Sequence, residues 1–91
     1  MKKQLTQTVQ LVEVPNEGLV SLMGQIITVF CARYIYTGLL AGVNDSCILL
    51  ENPKIVYETG SFSSKDWKDA QDLPHSFYIN TAAIESFGLM K

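Results

Sequence analysis

From Gln25 to Glu58 the chain alternates with period two and is rich in β-branched and aromatic residues, with a glycine at position 38 and an Asn-Pro pair at 52–53. Alternation of this kind puts successive side chains on opposite faces of an extended backbone, which commits the stretch to strands. Ile27, Val29 and Cys31 share one face of a first strand; Ile26, Thr28, Phe30 and Ala32 share the other. Both faces are largely apolar, which predicts cover on both sides. Tyr34 to Gly42 reads as a second strand, and Gly38 inside it marks a sharp bend or a close backbone approach. Val43-Asn44-Asp45-Ser46 has the composition of a turn, because Asn and Asp bond their own backbone. Cys47-Ile48-Leu49-Leu50 opens a third strand, which Asn52-Pro53 bends and Ile55-Val56-Tyr57 resumes.

The flanks are less regular. Met1 to Val14 fits either a helix face (Leu5, Val9, Val12) or an alternating strand, and Pro15 ends whichever forms. Asn16 to Gly24 reads as a short helix: Asn16 caps it, Glu17 suits its positive end, and Gly24 closes it. Leu19, Leu22 and Met23 would pack on the sheet. Thr59 to Ser76 is a polar excursion in which Ser64 to Ala70 predicts one or two helical turns, with Trp67 pinning the loop to the body. Two short strands follow, Phe77-Tyr78-Ile79 and Ala83-Ile84-Glu85-Ser86-Phe87. One helix and five short antiparallel strands, one bent by glycine, predict a mainly β fold: a small, strongly bent five-stranded barrel of SH3-like type. The expectation is a single domain over 1–91, with 1–15 as an N-terminal extension and 59–76 as a loop inserted between the third and fourth strands.

Composition then raises a packing problem. Of 91 residues, 47% are apolar and only 18% charged, with a net charge of −2. A domain this small hides only about 60–65% of its unfolded surface. Apolar surface is therefore left over, and such surface becomes an interface. The seven basic residues, Lys2, Lys3, Arg33, Lys54, Lys65, Lys68 and Lys91, are scattered along the chain and the pI is about 5.2. That argues against a broad basic footprint for nucleic acid.

Cys31, Cys47 and the lone His75 lack metal-ligand spacing, so neither metal nor cofactor is expected, and free thiols suit a cytoplasmic protein. Asp66, Asp69 and Asp72 read as a solvated helix face, since a calcium loop needs more oxygen ligands and a turn glycine. His75-Ser76 has neither a placed carboxylate nor a nucleophile elbow, and no acid/base constellation marks an enzyme. Met1 to Gln10 has a basic start without an apolar core, and no run reaches the ~20 apolar residues of a membrane span; neither a leader nor a membrane partner is expected.

The segment Gly38-Leu39-Leu40-Ala41-Gly42-Val43-Asn44-Asp45, followed by Ile48-Leu49-Leu50-Glu51-Asn52, resembles the first motif of the Sm-like family. Ile79-Asn80-Thr81-Ala82-Ala83-Ile84 lies where that family carries its second motif, Ile-Arg-Gly-x-x-Val. The resemblance runs from about Leu19 to Phe87. Tyr57 to Phe62 and the closing strands also resemble small Sm-like proteins of bacteria and their phages. What the resemblance implies is a helix followed by a bent five-stranded barrel whose fourth strand pairs with the fifth of the next subunit. A homo-oligomeric ring of five to seven chains follows from that, with Phe77, Tyr78, Ile79, Ala83, Ile84, Ser86 and Phe87 at the subunit interface. These edges carry no lysine or proline guard.

The family grips single-stranded RNA through a stacking side chain and an asparagine of the first motif, with the arginine and glycine of the second. An unpaired base needs a flat partner and an amide to read its edge. Here the turn reads as one residue shorter, placing Ser46 and Cys47 at the stacker and asparagine positions, while Asn80 and Thr81 replace arginine and glycine. The candidate RNA-binding residues are therefore Asn44, Asp45, Ser46, Asn80 and Thr81, in a divergent pocket. Tyr34 and Tyr36, on one strand face, are further candidates for stacking. Two functions are expected from this: an RNA-binding ring, or a structural and protein-interaction module that keeps the fold without RNA.

Overall fold

The computed structural model describes residues 18–91. The readings made for Met1 to Val14, Pro15, Asn16 and Glu17 lie outside these residues. The architecture is mainly β: a six-stranded antiparallel open sheet formed by β1 (Ile26–Cys31), β2 (Ile35–Val43), β3 (Cys47–Glu58), β4 (Asp69–Asp72), β5 (Phe77–Asn80) and β6 (Ile84–Gly88).

Strand order is β4-β3-β2-β1-β6, with β5 also paired to β3. The long β3 is the organising strand. One edge pairs with β2 along its length, while the other is divided between β5, against Cys47–Leu50, and β4, against Lys54–Glu58. The division falls at Asn52-Pro53. Asn52 takes the left-handed conformation (φ 51°), and buried Pro53 has no N–H to leave unpaired. Opposite this pair the β2–β3 register shifts between Thr37 and Leu39, so two residues of β3 face Gly38 alone. As the alternation predicts, Asn52-Pro53 bends the strand without ending it.

The core lies inside this bend. Ile27 and Val29 of β1, Leu40 of β2, Ile48 and Leu50 of β3 and Ile79 of β5 form one buried cluster. Leu19 and Leu22 pack against it from the N-terminal side. Thr28 and Thr37 are paired across β1 and β2 and are also buried; the Thr37 hydroxyl donates to the Ile27 carbonyl at 2.8 Å, which satisfies it without water. The two-sided cover expected of β1 is incomplete, because Ile26 is 61% exposed.

Several expectations are corrected. The short N-terminal helix is not an α-helix: Gly18–Leu22 makes a five-residue 3₁₀ turn. Gly18 and Gly24 both have positive φ (68° and 85°), and a segment bounded by two such residues is too short to repay α-helix nucleation. The sheet has six strands rather than five, because the 59–76 segment contains β4. The helical turns read over Ser64 to Ala70 are absent, so Asp66, Asp69 and Asp72 share no helix face; Asp69 and Asp72 are the ends of β4. The reason is the outer edge of β3: its Lys54–Glu58 half would otherwise leave backbone groups without partners, and pairing with β4 satisfies them. A Lys54–Asp72 ion pair of 3.1 Å accompanies that pairing. Ala83 falls in a 3₁₀ turn, Thr81–Ala83, instead of the last strand. Finally, the chain does not close its own sheet into the expected barrel. Among the described residues β6 pairs only with β1, and β5 only with β3.

Candidate functional site

Two turns distant in sequence meet at one corner of the sheet. The β2–β3 turn is built by Asn44. Its side-chain Oδ1 accepts from the amide N–H of Ser46 (2.8 Å), the amide N–H of Cys47 (2.9 Å) and the Ser46 hydroxyl (3.1 Å). This is the self-bonding that favours Asn at turns. The corner between β5 and β6 then docks onto it: the Thr81 amide donates to the Ser46 carbonyl at 2.9 Å, and the Thr81 hydroxyl to the Asp45 carbonyl at 3.0 Å. Asn80 sits across from Cys47 in the β3–β5 ladder. The five residues singled out for RNA, Asn44, Asp45, Ser46, Asn80 and Thr81, are thus contiguous. Four of them are exposed and Thr81 is half-buried.

The turn geometry limits what these groups can offer. The Asn44 carbonyl oxygen is engaged three times inside its own turn, and the Thr81 hydroxyl spends its proton on Asp45. Asn80 caps no helix end with its side chain, and it continues from the corner into a neighbouring groove.

That groove, about 340 Å³, runs between the β1–β2 connection and β5 and is lined by Cys31, Arg33, Tyr34, Tyr36, Phe77 and Asn80, among others. Tyr36 meets Tyr34 edge-on with ring centroids 6.2 Å apart, and lies tilted against Phe77 at 5.8 Å. Burial pushes the Tyr36 hydroxyl pKa up, with Cys31, Tyr34 and Tyr57 adding to it. The Cys31 thiol is pushed up by burial first and by the Glu85 carboxylate second, which keeps it a neutral wall of the groove. Tyr34 and Tyr36 are thereby joined to Phe77 in one aromatic cluster. The single arginine at the groove was missed by the sequence reading, although its position directly before Tyr34 was the available signal.

The interface candidates divide. Tyr78 is 68% exposed, and Phe77 and Phe87 are about 40% exposed on the outer strands, whereas Ile79 belongs to the chain's own core. Ala83 and Ser86 are exposed and Ile84 is half-buried. Leu89 and Met90, which follow β6, extend the exposed apolar surface. No protein-family model matches this chain, and no curated protein matches it either.

Proposed function

We propose that this chain is an Sm-like subunit that assembles head to tail into a ring of five to seven copies and binds single-stranded RNA at the Asn44–Ser46 and Asn80–Thr81 corner. The observation that carries the RNA reading is the pair of Thr81 hydrogen bonds to Asp45 and Ser46, which joins the two motif regions into one exposed surface. The adjoining aromatic groove adds flat faces for stacking and the Arg33 cation for a phosphate. Assembly is supported by the outer edges of β5 and β6. These carry exposed Tyr78 and Phe87 and have no strand partner among the described residues, so a further strand would satisfy their backbone groups. In this reading β5 and β6 stand for the fourth and fifth strands of the family, and β4 is an addition.

The test is fluorescence anisotropy with oligo-U, oligo-A and mixed-sequence RNAs at low and moderate salt. Binding that weakens as salt rises is the expected result, because phosphate contacts release counterions. No binding at low salt rejects the RNA reading. A second reading, an assembly module without RNA, is favoured by the Asn44 side chain, whose only acceptor oxygen is already engaged within its own turn. A ring by light scattering that binds none of these RNAs would establish that alternative.

A further inference from the structure

The segment 59–68 folds around a single cation. The Lys91 ammonium donates to three backbone carbonyls, of Thr59 (2.7 Å), Ser61 (2.9 Å) and Asp66 (3.1 Å). It also lies 4.5 Å from the centre of the Trp67 ring and 5.9 Å from that of Phe62. An ammonium has three N–H donors, and here each has an oxygen while aromatic faces complete the shell. Among the described residues no carboxylate lies within ion-pair distance of it. Recognition therefore rests on backbone dipoles and ring faces that converge on one nitrogen.

The loop that supplies those carbonyls is held by bonds of its own. Ser61 and Ser63 share a hydroxyl bond of 2.7 Å, the Ser64 amide donates to the Ser61 carbonyl, and the Lys68 amide returns to the Thr59 carbonyl. Gly60 adopts φ 69°, and a Cβ there would stand 3.1 Å from the Lys68 side chain, so the loop closes tightly at that point. Lys91 and Trp67 in turn line a cavity of about 580 Å³, whose lining also includes Ile26, Gly38 and Leu39 at the sheet bend.

We propose that loop 59–68 is a receptor for a primary ammonium group, occupied by the chain's own Lys91, and that this contact is a latch setting the position of Trp67 over the cavity. The ligand class is a primary alkylammonium. A guanidinium spreads its donors over a planar fork and does not place three of them on one nitrogen. The inference is independent of RNA binding and of ring assembly.

Trp67 is the only tryptophan in the chain, so its fluorescence reports the latch directly. Lys91→Met keeps the stem and removes the charge. The variant is expected to shift Trp67 emission, raise acrylamide quenching at least twofold, and speed amide hydrogen exchange across 59–68 while amides of Ile27, Val29, Leu40 and Ile48 keep their protection. Added n-butylammonium should reverse the Trp67 changes in Lys91→Met, and n-butanol at equal concentration should not. Unchanged emission and exchange, or equal rescue by the alcohol, would overturn the proposal. Equal loss of core protection would overturn it as well, since Lys91 would then be a staple of the whole fold. Should Lys91→Met fail to fold, Lys91→Arg retains the charge. Faster exchange confined to 59–68 is expected for that variant, and wild-type exchange would reject a receptor selective for ammonium.

Discussion

A Cβ placed on Gly38 would stand 3.2 Å from the Cα of Pro53, with the Glu51 carbonyl oxygen and the Leu50 Cβ at the same distance. Two strands approach here so closely that a side chain would crowd its neighbours, at the point where β3 passes from its β5 half to its β4 half. The bend that encloses the core depends on this contact.

Gly38→Ala is accordingly expected to destabilise the fold by about 1–3 kcal/mol, the usual cost of forcing an extra methyl into a packed site. Two of the three neighbours are backbone atoms and cannot rotate away. Urea denaturation measures the change, and an unchanged midpoint would show that the strands separate there without cost.

Asn44 provides a contrast between two substitutions. Asn44→Ala removes the acceptor that organises the β2–β3 turn and should cost about 1 kcal/mol. Asn44→Asp retains an acceptor oxygen and should stay within about 0.5 kcal/mol of the parent. Equal losses for the two would mean that the turn is held by its backbone bonds alone.

Thr81→Val keeps the shape of the side chain but loses the hydroxyl bond to Asp45, while the backbone bond to Ser46 remains. Because the bond is exposed, the stability loss should be about 0.5 kcal/mol, the low end for a hydrogen bond. If the corner binds RNA, affinity measured by anisotropy should fall severalfold with oligomer mass unchanged. An unaltered affinity would remove the corner from the site.

Lysine on an outer strand opposes edge-to-edge pairing. If the chain assembles through these edges as proposed, Tyr78→Lys on β5 and Phe87→Lys on β6 are each expected to shift the mass measured by light scattering from ring to monomer. Circular dichroism should remain that of the parent, since neither side chain is buried in the core. A ring that persists in both variants would move the interface elsewhere.

The Cys31 thiol titrates above the ordinary thiol range because burial, and then Glu85, disfavour the thiolate. In a Cys47→Ala background, iodoacetamide should label Cys31 with a half-maximal rate at higher pH than a free thiol. The sign for stability follows from the same shift. Below the unfolded thiol pKa both states are protonated and nothing is lost. As pH rises past it the unfolded chain ionises first, so stability declines until the folded thiol also titrates. Cys31→Ala should flatten part of that decline.

Period-two alternation made β1, β2 and β3 legible from sequence, because strand side chains alternate whatever the surroundings. Gly38 and Asn52-Pro53 marked the bend for equally local reasons: one lacks a Cβ, the other an N–H. The Asn44 turn was legible too, since its bonds reach only to Ser46 and Cys47. Strand β4 was not. Asp-Ala-Gln-Asp has little intrinsic strand character, and it pairs only because half of the β3 edge would otherwise have no backbone partner. The helix-like segment before β1 makes only a 3₁₀ turn for a different reason: Gly18 and Gly24, both of positive φ, leave it too short to repay α-helix nucleation.

The candidate site divides along the same line. Residue types within one turn could be named from order along the chain, but the two Thr81 bonds span 35 and 36 positions and exist only after β5 has joined β3. Lys91 carried no signal at all as one of seven scattered basic residues. Its cage joins one indole to three backbone carbonyls, groups that every residue possesses. Local chemistry is written in residue identity. Convergence of backbone dipoles on one point is a property of the folded path, and only the tertiary structure decides it.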